Sequence, residues 1–499
     1  MSPLIEHRRA EKLHVIVVET TEVLSPEQIR KGDSQPLQVH LEKLCRDYKG
    51  PSYILLAGSL RGSGPAAAEE TVVPPLLGSV GRMKGRPSDH AFGCRDGNSM
   101  PSAAVGRFPA RNVEEIRQMV QKTLRLEENH PPGPWQNRLL VVLGNPGGMS
   151  WLDKSFNDWF IQNAGLDRLN RIHPTWSVQA IFHISSSPFC LPDDRLQDAT
   201  RRYLEEGQFF TFYLGHSGAS GLWSNGLYFM QRADWAQVKI PGGQGVFFTC
   251  GCYACQFDRN DGDGYGLAAI RNPDGPAAVI GACEESYAAM GQLALDGLFH
   301  RFSAPPSPAR LADYWLDAAA GLDHGPIDPL SFQLLDQADG SRGRVPLAVQ
   351  RREHLEMWML LGDPALLLPI PPSDISLKVA GPVSPGIRIT VKGALPERLA
   401  GATVHLTLER PIASRPTELE ALPDGPVKTR NKIMIENHRR ANAVVLATRE
   451  VKSNGVNFEC QTDLPEDLPW ENIILRASAA TETESAFGVE TMQVKKKGK

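Results

Sequence analysis

Two stretches decide the fold: Phe209–Gly218, reading FFTFYLGHSG, and Val246–Phe257, reading VFFTCGCYACQF. Each opens with the aromatic and β-branched residues of a buried strand and breaks at a glycine beside a reactive side chain. The first break presents His216. The second presents Cys252, with Cys250 and Cys255 close by. The separation of the stretches suits one crossover between neighbouring parallel strands. In an open α/β sheet, the carboxyl ends of adjacent strands share a crevice where ligands bind. A histidine and a cysteine brought together there are a general base and a nucleophile.

The chain has 499 residues, more than one ordinary core holds, so two or three domains are expected. A formal charge of −4 offers nothing to nucleic acid or to an acidic membrane. The charge run Lys495–Lys499 reads as a solvated tail. The opening MSPLIEHRRAEKLHVIVV lacks the long apolar core and small residues of a secretory signal. No apolar run approaches the ~18 residues that span a bilayer. Eight cysteines, three of them within six positions, do not make a disulfide framework in a chain this long. A soluble protein of a reducing, cytoplasmic compartment is expected, with neither nucleic acid nor membrane as partner.

Outward from the two central stretches, the same grammar continues. Leu13–Val18, YILLAG (Tyr53–Gly58) and AAVGRF (Ala103–Phe108) read as strands. Leu37, Leu41 and Leu44 recur at helical spacing, and Asn112 with Glu115 caps a second helix. These make a first α/β unit over residues 1–134. LLVVLG (Leu139–Gly144), SVQAIFHI (Ser177–Ile184) and AAVIGAC (Ala277–Cys283) join the central strands in a second unit, 135–371, with helical crossovers between them. Helical patterns at Pro308–Ala320 and Arg351–Leu361 close it, and PIPP marks its end. Residues 372–499 then alternate apolar and polar positions in short runs such as IRITVKG, ATVHLTLER and IILRASAATE, without helical crossovers. That pattern suggests an all-β sandwich of immunoglobulin type. The fold class expected is therefore α/β, with parallel or mixed sheets flanked by helices in two subdomains, followed by a β-sandwich.

With these residues in hand, the chain resembles the gingipain-type cysteine peptidases, in the clan of the caspases. YLGHSG is similar to the family's Y-x-G-H-G segment, and VFFTCGCYACQF to its A-C-x-x-G-x-F segment, which puts Cys252 at the nucleophile. SDHAFG and AVGRFPARNVEEI resemble S-D-x-x-Y-G and I-G-R-F-S. LLGDPAL resembles F-G-D-P-S-L, which in the family precedes an immunoglobulin-like domain. The chain departs where the family writes His-Gly, having His216-Ser217, and where the family carries an acidic residue before a Gly-Gly pair, having Pro146. The resemblance implies a caspase-like catalytic unit and a cysteine endopeptidase working through a thioester. Its substrates would be proteins or peptides cut after Arg or Lys, with a cell-death or defence role that activates a partner protein.

In such a peptidase His216 takes the thiol proton and later protonates the leaving amine. Backbone amides of Cys252 and of Ser217 or Gly218 would bind the oxyanion. The bland alternative is a satisfied core histidine and an inert buried thiol. A silent scaffold that holds peptides is the competing reading, and a thiol-dependent transferase a third. Cys250, Cys252 and Cys255 lack the fourth ligand of a zinc set, so no metal is assigned. No organic cofactor is required. Asp258, Asp261 and Asp263 in DRNDGDG are a candidate for a structural calcium, but the run lacks the closing glutamate of an EF-hand loop and a polar turn also explains it.

By resemblance, Asn157 and Asp158 fall where an acidic residue floors the first substrate pocket, and a carboxylate there would select Arg or Lys. Asp153 lies nearby. Equally, Asp158 simply decorates the helix carrying Trp159 and Phe160. Tyr287 and Met290 align with a pocket wall, or belong to the core. Arg342 and Arg344, in GSRGRVP, sit in an expected exposed loop where self-cleavage is an activation route, and an ordinary loop is the plain reading. The sandwich carries no catalytic signal and would support the catalytic unit or dock a partner protein.

Overall fold

Runs of aromatic and β-branched residues become eight strands of one mixed sheet in the computed structural model, which describes residues 1–59, 72–145, 154–241, 244–256 and 264–495. The strands are β1 (Ser52–Ala57), β2 (Ala103–Phe108), β3 (Arg138–Leu143), β4 (Ser177–Phe182), β5 (Gln208–Leu214), β6 (Gln244–Thr249), β7 (Ala278–Ala282) and β8 (Trp358–Leu361). Across the sheet they run β1-β2-β8-β7-β6-β5-β3-β4. Strands β3 to β7 are parallel, β1 and β2 are parallel, and β8 joins the two groups. It pairs antiparallel with β7 and parallel with β2, at Leu361 beside Arg107. The two α/β units therefore share one sheet.

The central strands are apolar on both faces, as helices on both sides require. Phe209, Phe210, Phe212, Phe247 and Phe248 are all at most 2% exposed. At ~1.5–3 kcal/mol for each fully buried side chain of this size, they are a large share of the driving force. Helices Val113–Glu128, Leu196–Glu205, Ala288–Phe302 and Leu311–His324 cover the sheet. Asn112 caps the first of these through the Glu115 amide, as its spacing suggested.

Three elements differ from expectation. Leu13–Val18 forms no strand, and Ile16 and Val17 stay exposed. The Arg351–Leu361 pattern is a helix only to Met357; Trp358–Leu361 is strand β8, with all four residues buried between neighbours on each side. Residues 410–442, read as non-helical, contain the helix Val427–Asn442.

The C-terminal region is a two-sheet sandwich of β9 (Ser376–Ala380), β10 (Arg388–Ala394), β11 (Thr403–Glu409), β12 (Val445–Lys452), β13 (Asn457–Asp463), β14 (Asn472–Ala480) and β15 (Ser485–Gln493). One sheet is β9-β10-β13 and the other β12-β11-β14-β15. Ile389, Val391 and Phe458 from one meet Leu406, Ile473 and Leu475 from the other in a separate core. Among the described residues, no helix is long and apolar enough to cross a membrane.

Candidate active site

The connections of the parallel group reverse between β3 and β5, because β4 lies on one side of β3 and β5 on the other. A crevice opens at the carboxyl ends of such strands. Strand β5 delivers His216 there, and its neighbour β6 delivers Cys252. The two are paired with Thr249 beside Tyr213, and the Cys250 amide extends the ladder by donating to the Tyr213 carbonyl at 2.9 Å.

Beyond β5 the chain turns at Gly215 into a hairpin, His216–Gly218 against Gly221–Ser224. The Tyr213 hydroxyl pins both arms, its one proton shared between the carbonyls of His216 (2.6 Å) and Trp223 (2.9 Å). His216 and Trp223 are cross-strand partners, and their rings stack at 4.8 Å and 17°. The stack orients the imidazole ring.

The hairpin is tied to the turn after β6. The Ser217 hydroxyl donates to the Cys252 carbonyl at 2.6 Å. A Cβ at Gly251 would lie 2.1 Å from Ser217 Oγ, so this approach exists only because Gly251 has no side chain. Tyr253 follows in the left-handed region at φ +57°, a local strain of the kind that collects at functional turns. The Cys252 N–H donates to no group among the described residues.

Cys252 Sγ meets the Ser286 carbonyl at 3.5 Å. Burial pushes this thiol up to about 12; the Ser286 contact and Arg82 oppose the rise, and the carboxylates of Asp339 and Glu285 add to it. Cys250 is likewise driven up to about 12 by burial, and Cys255 rises for the same reason; Cys255 is fully buried in the core. No described group of three metal ligands includes any of these cysteines.

A cleft of about 510 Å³ is lined by Glu285, Tyr287, Asp339, Ser341, Arg342 and Arg344. Tyr287 thus stands on the cleft wall. Its amide donates to His354 Nε2 at 2.9 Å, and the Arg82 guanidinium lies 3.8 Å above its ring. Burial, with the Arg82 charge, pushes His354 down to about 3, so it accepts that bond as the neutral ring. Met290 is fully buried in the hydrophobic core and does not line the cleft, because the helix from Ala288 turns it inward. The Arg342 and Arg344 loop is exposed, as expected, but it is ordered rather than loose. Asp336 accepts from the amides of Ser341 and Gly343 and from Gln350 Nε2.

Asn157 and Asp158 belong to the helix Lys154–Arg171, but their side chains lie outside the described residues, as do Pro146 to Asp153 and Asp258, Asp261 and Asp263. Arg82, Trp223, Glu285 and Asp339 were not singled out in the sequence. Only Glu285, two residues before Tyr287, and Asp339, at the edge of the GSRGRVP loop, had a local signal pointing their way.

The sequence profile of peptidase family C25 matches residues 1–369. No curated protein matches the chain. Among solved structures, the Arg-specific cysteine proteinase gingipain R (RgpB) aligns over 99% of this chain and 94% of its own, with TM-score 0.53 and 14% identity. The complex of Porphyromonas gingivalis RgpB pro- and mature domains aligns over 99% and 96%, with TM-score 0.54 and 14% identity. At that identity the likeness is one of fold.

Proposed function

The chain belongs to peptidase family C25 and is a cysteine peptidase; from that premise we propose that His216 and Cys252 are its dyad and that it is an endopeptidase cutting proteins after Arg or Lys. The observation that carries the dyad is the 2.6 Å bond from Ser217 Oγ to the Cys252 carbonyl, which holds the two strand ends in one crevice. Because burial drives the thiol up to about 12, it rests protonated, and His216 removes the proton as the substrate carbonyl is attacked. Sulfur then bonds to the carbonyl carbon, and the developing oxyanion is met by the unengaged Cys252 amide together with one from Ser217 or Gly218. The imidazolium gives its proton to the leaving amine, and water, deprotonated by His216, releases the acyl group and regenerates the thiol.

The preference for a basic residue is supported by the carboxylates of Glu285 and Asp339 in the cleft, with Asp158 a further candidate. Gingipain R is Arg-specific, and the same preference is proposed for this chain by analogy of fold. Eight free cysteines support a reducing, cytoplasmic setting in which the enzyme activates a partner protein in cell death or defence. No cofactor enters this reading, and the C-terminal sandwich, read as immunoglobulin-like, supports the catalytic unit or docks a partner protein.

The test is hydrolysis of a fluorogenic peptide library varied at the residue before the cut, by wild type, Cys252→Ala and His216→Ala. Cleavage after Arg or Lys, lost at least ~10³-fold in both variants, is expected. Cleavage after another residue discards the basic pocket but keeps the dyad. Absence of cleavage, with Cys252 also unlabelled by an acyloxymethyl ketone, discards both and leaves a peptide-holding scaffold.

A further inference from the structure

We infer that Arg82 is a positioning residue of the active site. Reaching over from the first unit, it holds segment 285–287, whose middle residue touches the nucleophile and whose outer two wall the cleft. The inference rests on the reading of Cys252 as the nucleophile of a peptidase.

Segment 285–287 meets both parts of the site. The Ser286 carbonyl lies 3.5 Å from Cys252 Sγ, and Glu285 and Tyr287 line the cleft. Just before it, the chain is laddered to the cysteine turn, with the Tyr253 amide donating to the Glu284 carbonyl at 3.0 Å and the Cys255 amide to the Ala282 carbonyl at 2.9 Å. Segment 285–287 itself is gripped from the other unit. Arg82 Nη1 donates to the Glu285 carbonyl at 2.6 Å, and the guanidinium lies 3.8 Å above the Tyr287 ring, a stack that suits a flat cation on an aromatic face.

Arg82 is itself held for this task. Its Nε and Nη2 donate to the two carboxylate oxygens of Glu353 at 2.9 and 3.1 Å, a fork on a side chain that is 1% exposed. Gly81, just before it, lies in the left-handed region at φ +51°, and a Cβ there would fall 2.7 Å from Glu353 Oε1. Glu356 of the same helix, Leu347–Met357, accepts from the Ser79 and Val80 amides at 2.8 and 3.1 Å. The neighbour of Glu353 is His354, which takes the Tyr287 amide, so one helix holds Tyr287 twice, directly and through Arg82. A brace between the two units would need only the Glu353 fork. The contacts with the Glu285 carbonyl and the Tyr287 ring go beyond it, to the wall of the cleft.

The experiment uses the full chain as wild type, Arg82→Lys, Tyr287→Leu and the double variant. Lysine keeps a charge for the buried Glu353 but loses the fork and the flat face, while Tyr287→Leu removes the ring and leaves Glu353 paired. In peptide hydrolysis, Arg82→Lys is expected to raise KM about 10-fold with kcat within about threefold, and the double variant to be little worse than Tyr287→Leu alone. Alkylation by iodoacetamide, read thiol by thiol by mass spectrometry, becomes faster at Cys252 as the Ser286 carbonyl withdraws, and stays slow at the core thiol Cys255. Faster labelling of both thiols would make Arg82 a brace of the fold only, and overturns the inference. So do an unchanged KM, a fall in kcat alone, or effects of the two substitutions that simply multiply. If wild type cleaves no peptide, the peptidase reading fails separately, and alkylation still decides for Arg82. Cys252 must then react faster in each single variant and no faster still in the double; equal rates in wild type and Arg82→Lys, or rates that multiply, overturn the inference.

Discussion

At the scale of single residues, the site depends on what is missing as much as on what is present. The turn carrying Cys252 closes on the hairpin carrying His216 because Gly251 lets the Ser217 side chain through to the Cys252 carbonyl. Gly251→Ala should therefore separate the hairpin from the turn, since the Ser217 side chain and the Gly215 carbonyl are both in the way. The expected outcome is a loss of more than about 100-fold in kcat/KM with a modest loss of stability, because a small misplacement at reacting atoms is costly. Peptide hydrolysis and urea unfolding on the same preparation check it, and wild-type activity in the variant would show that the contact does not matter. The sequence made the glycine visible beside the cysteine. It did not show that Ser217, one place after the histidine, was the group that needed the space.

Among the elements, the helix Val427–Asn442 carries the largest surprise. It is inserted between β11 and β12 and docks the sandwich on the catalytic unit. The Asn442 side chain takes both backbone groups of Ala180, with the Ala180 amide donating at 2.8 Å and the Asn442 amide donating at 3.0 Å. It thus stands in for a further strand at the open edge of β4, the kind of edge proteins cover. Four positions earlier, His438 bridges the Tyr203 hydroxyl and the Phe189 carbonyl, each at 2.9 Å. The helix was illegible because it is polar nearly all round, with only Asn437, His438 and Ala441 buried. Its stripe makes sense only against a partner surface distant in the chain.

Burial first, and the Arg202 charge after it, hold His438 down to about 4, against an ordinary histidine value near ~6.5. The unfolded chain then binds the proton more readily than the folded one. The contribution is complete above about pH 6.5 and is lost as pH falls towards about 4. Between pH 7 and pH 5, wild type should lose about 2 kcal/mol that His438→Gln does not lose. Urea unfolding of both proteins at the two pH values measures it, and parallel losses would remove His438 as the cause.

For the whole molecule, the family segments divide into chemistry and architecture. SDHAFG and AVGRF meet in a buried, two-pronged pair, with Arg107 Nε and Nη2 donating to Asp89 at 2.6 Å each and Nη1 donating to the carbonyls of Gly58 and Val73. Asp363 of LLGDPAL is likewise buried, accepting from Arg8 of the N-terminal helix at 2.8 Å. These residues hold the first unit to the shared sheet. Arg107→Leu leaves Asp89 as an uncompensated buried charge, at a cost of about 3–5 kcal/mol. Thermal unfolding should show the drop, while kcat per folded molecule stays within about twofold; a selective loss of kcat would instead give the pair a catalytic role.

What the sequence by itself determined is local or periodic: the buried strands, the capped helix at Asn112, the change of grammar after PIPP, and a histidine and a cysteine at two strand ends. Apolar period and glycine breaks are written in neighbouring residues, and chain length limits which strands can adjoin. What only the tertiary structure decided is everything that depends on residues far apart in the chain. Strand β8 sits between β2 and β7, Met290 turns into the core while Tyr287 stays on the wall, and Arg82 reaches over from the first unit. Arg82 is the sharpest case: nothing local marks it, yet folding lays its guanidinium 3.8 Å above the ring of Tyr287, 205 positions on.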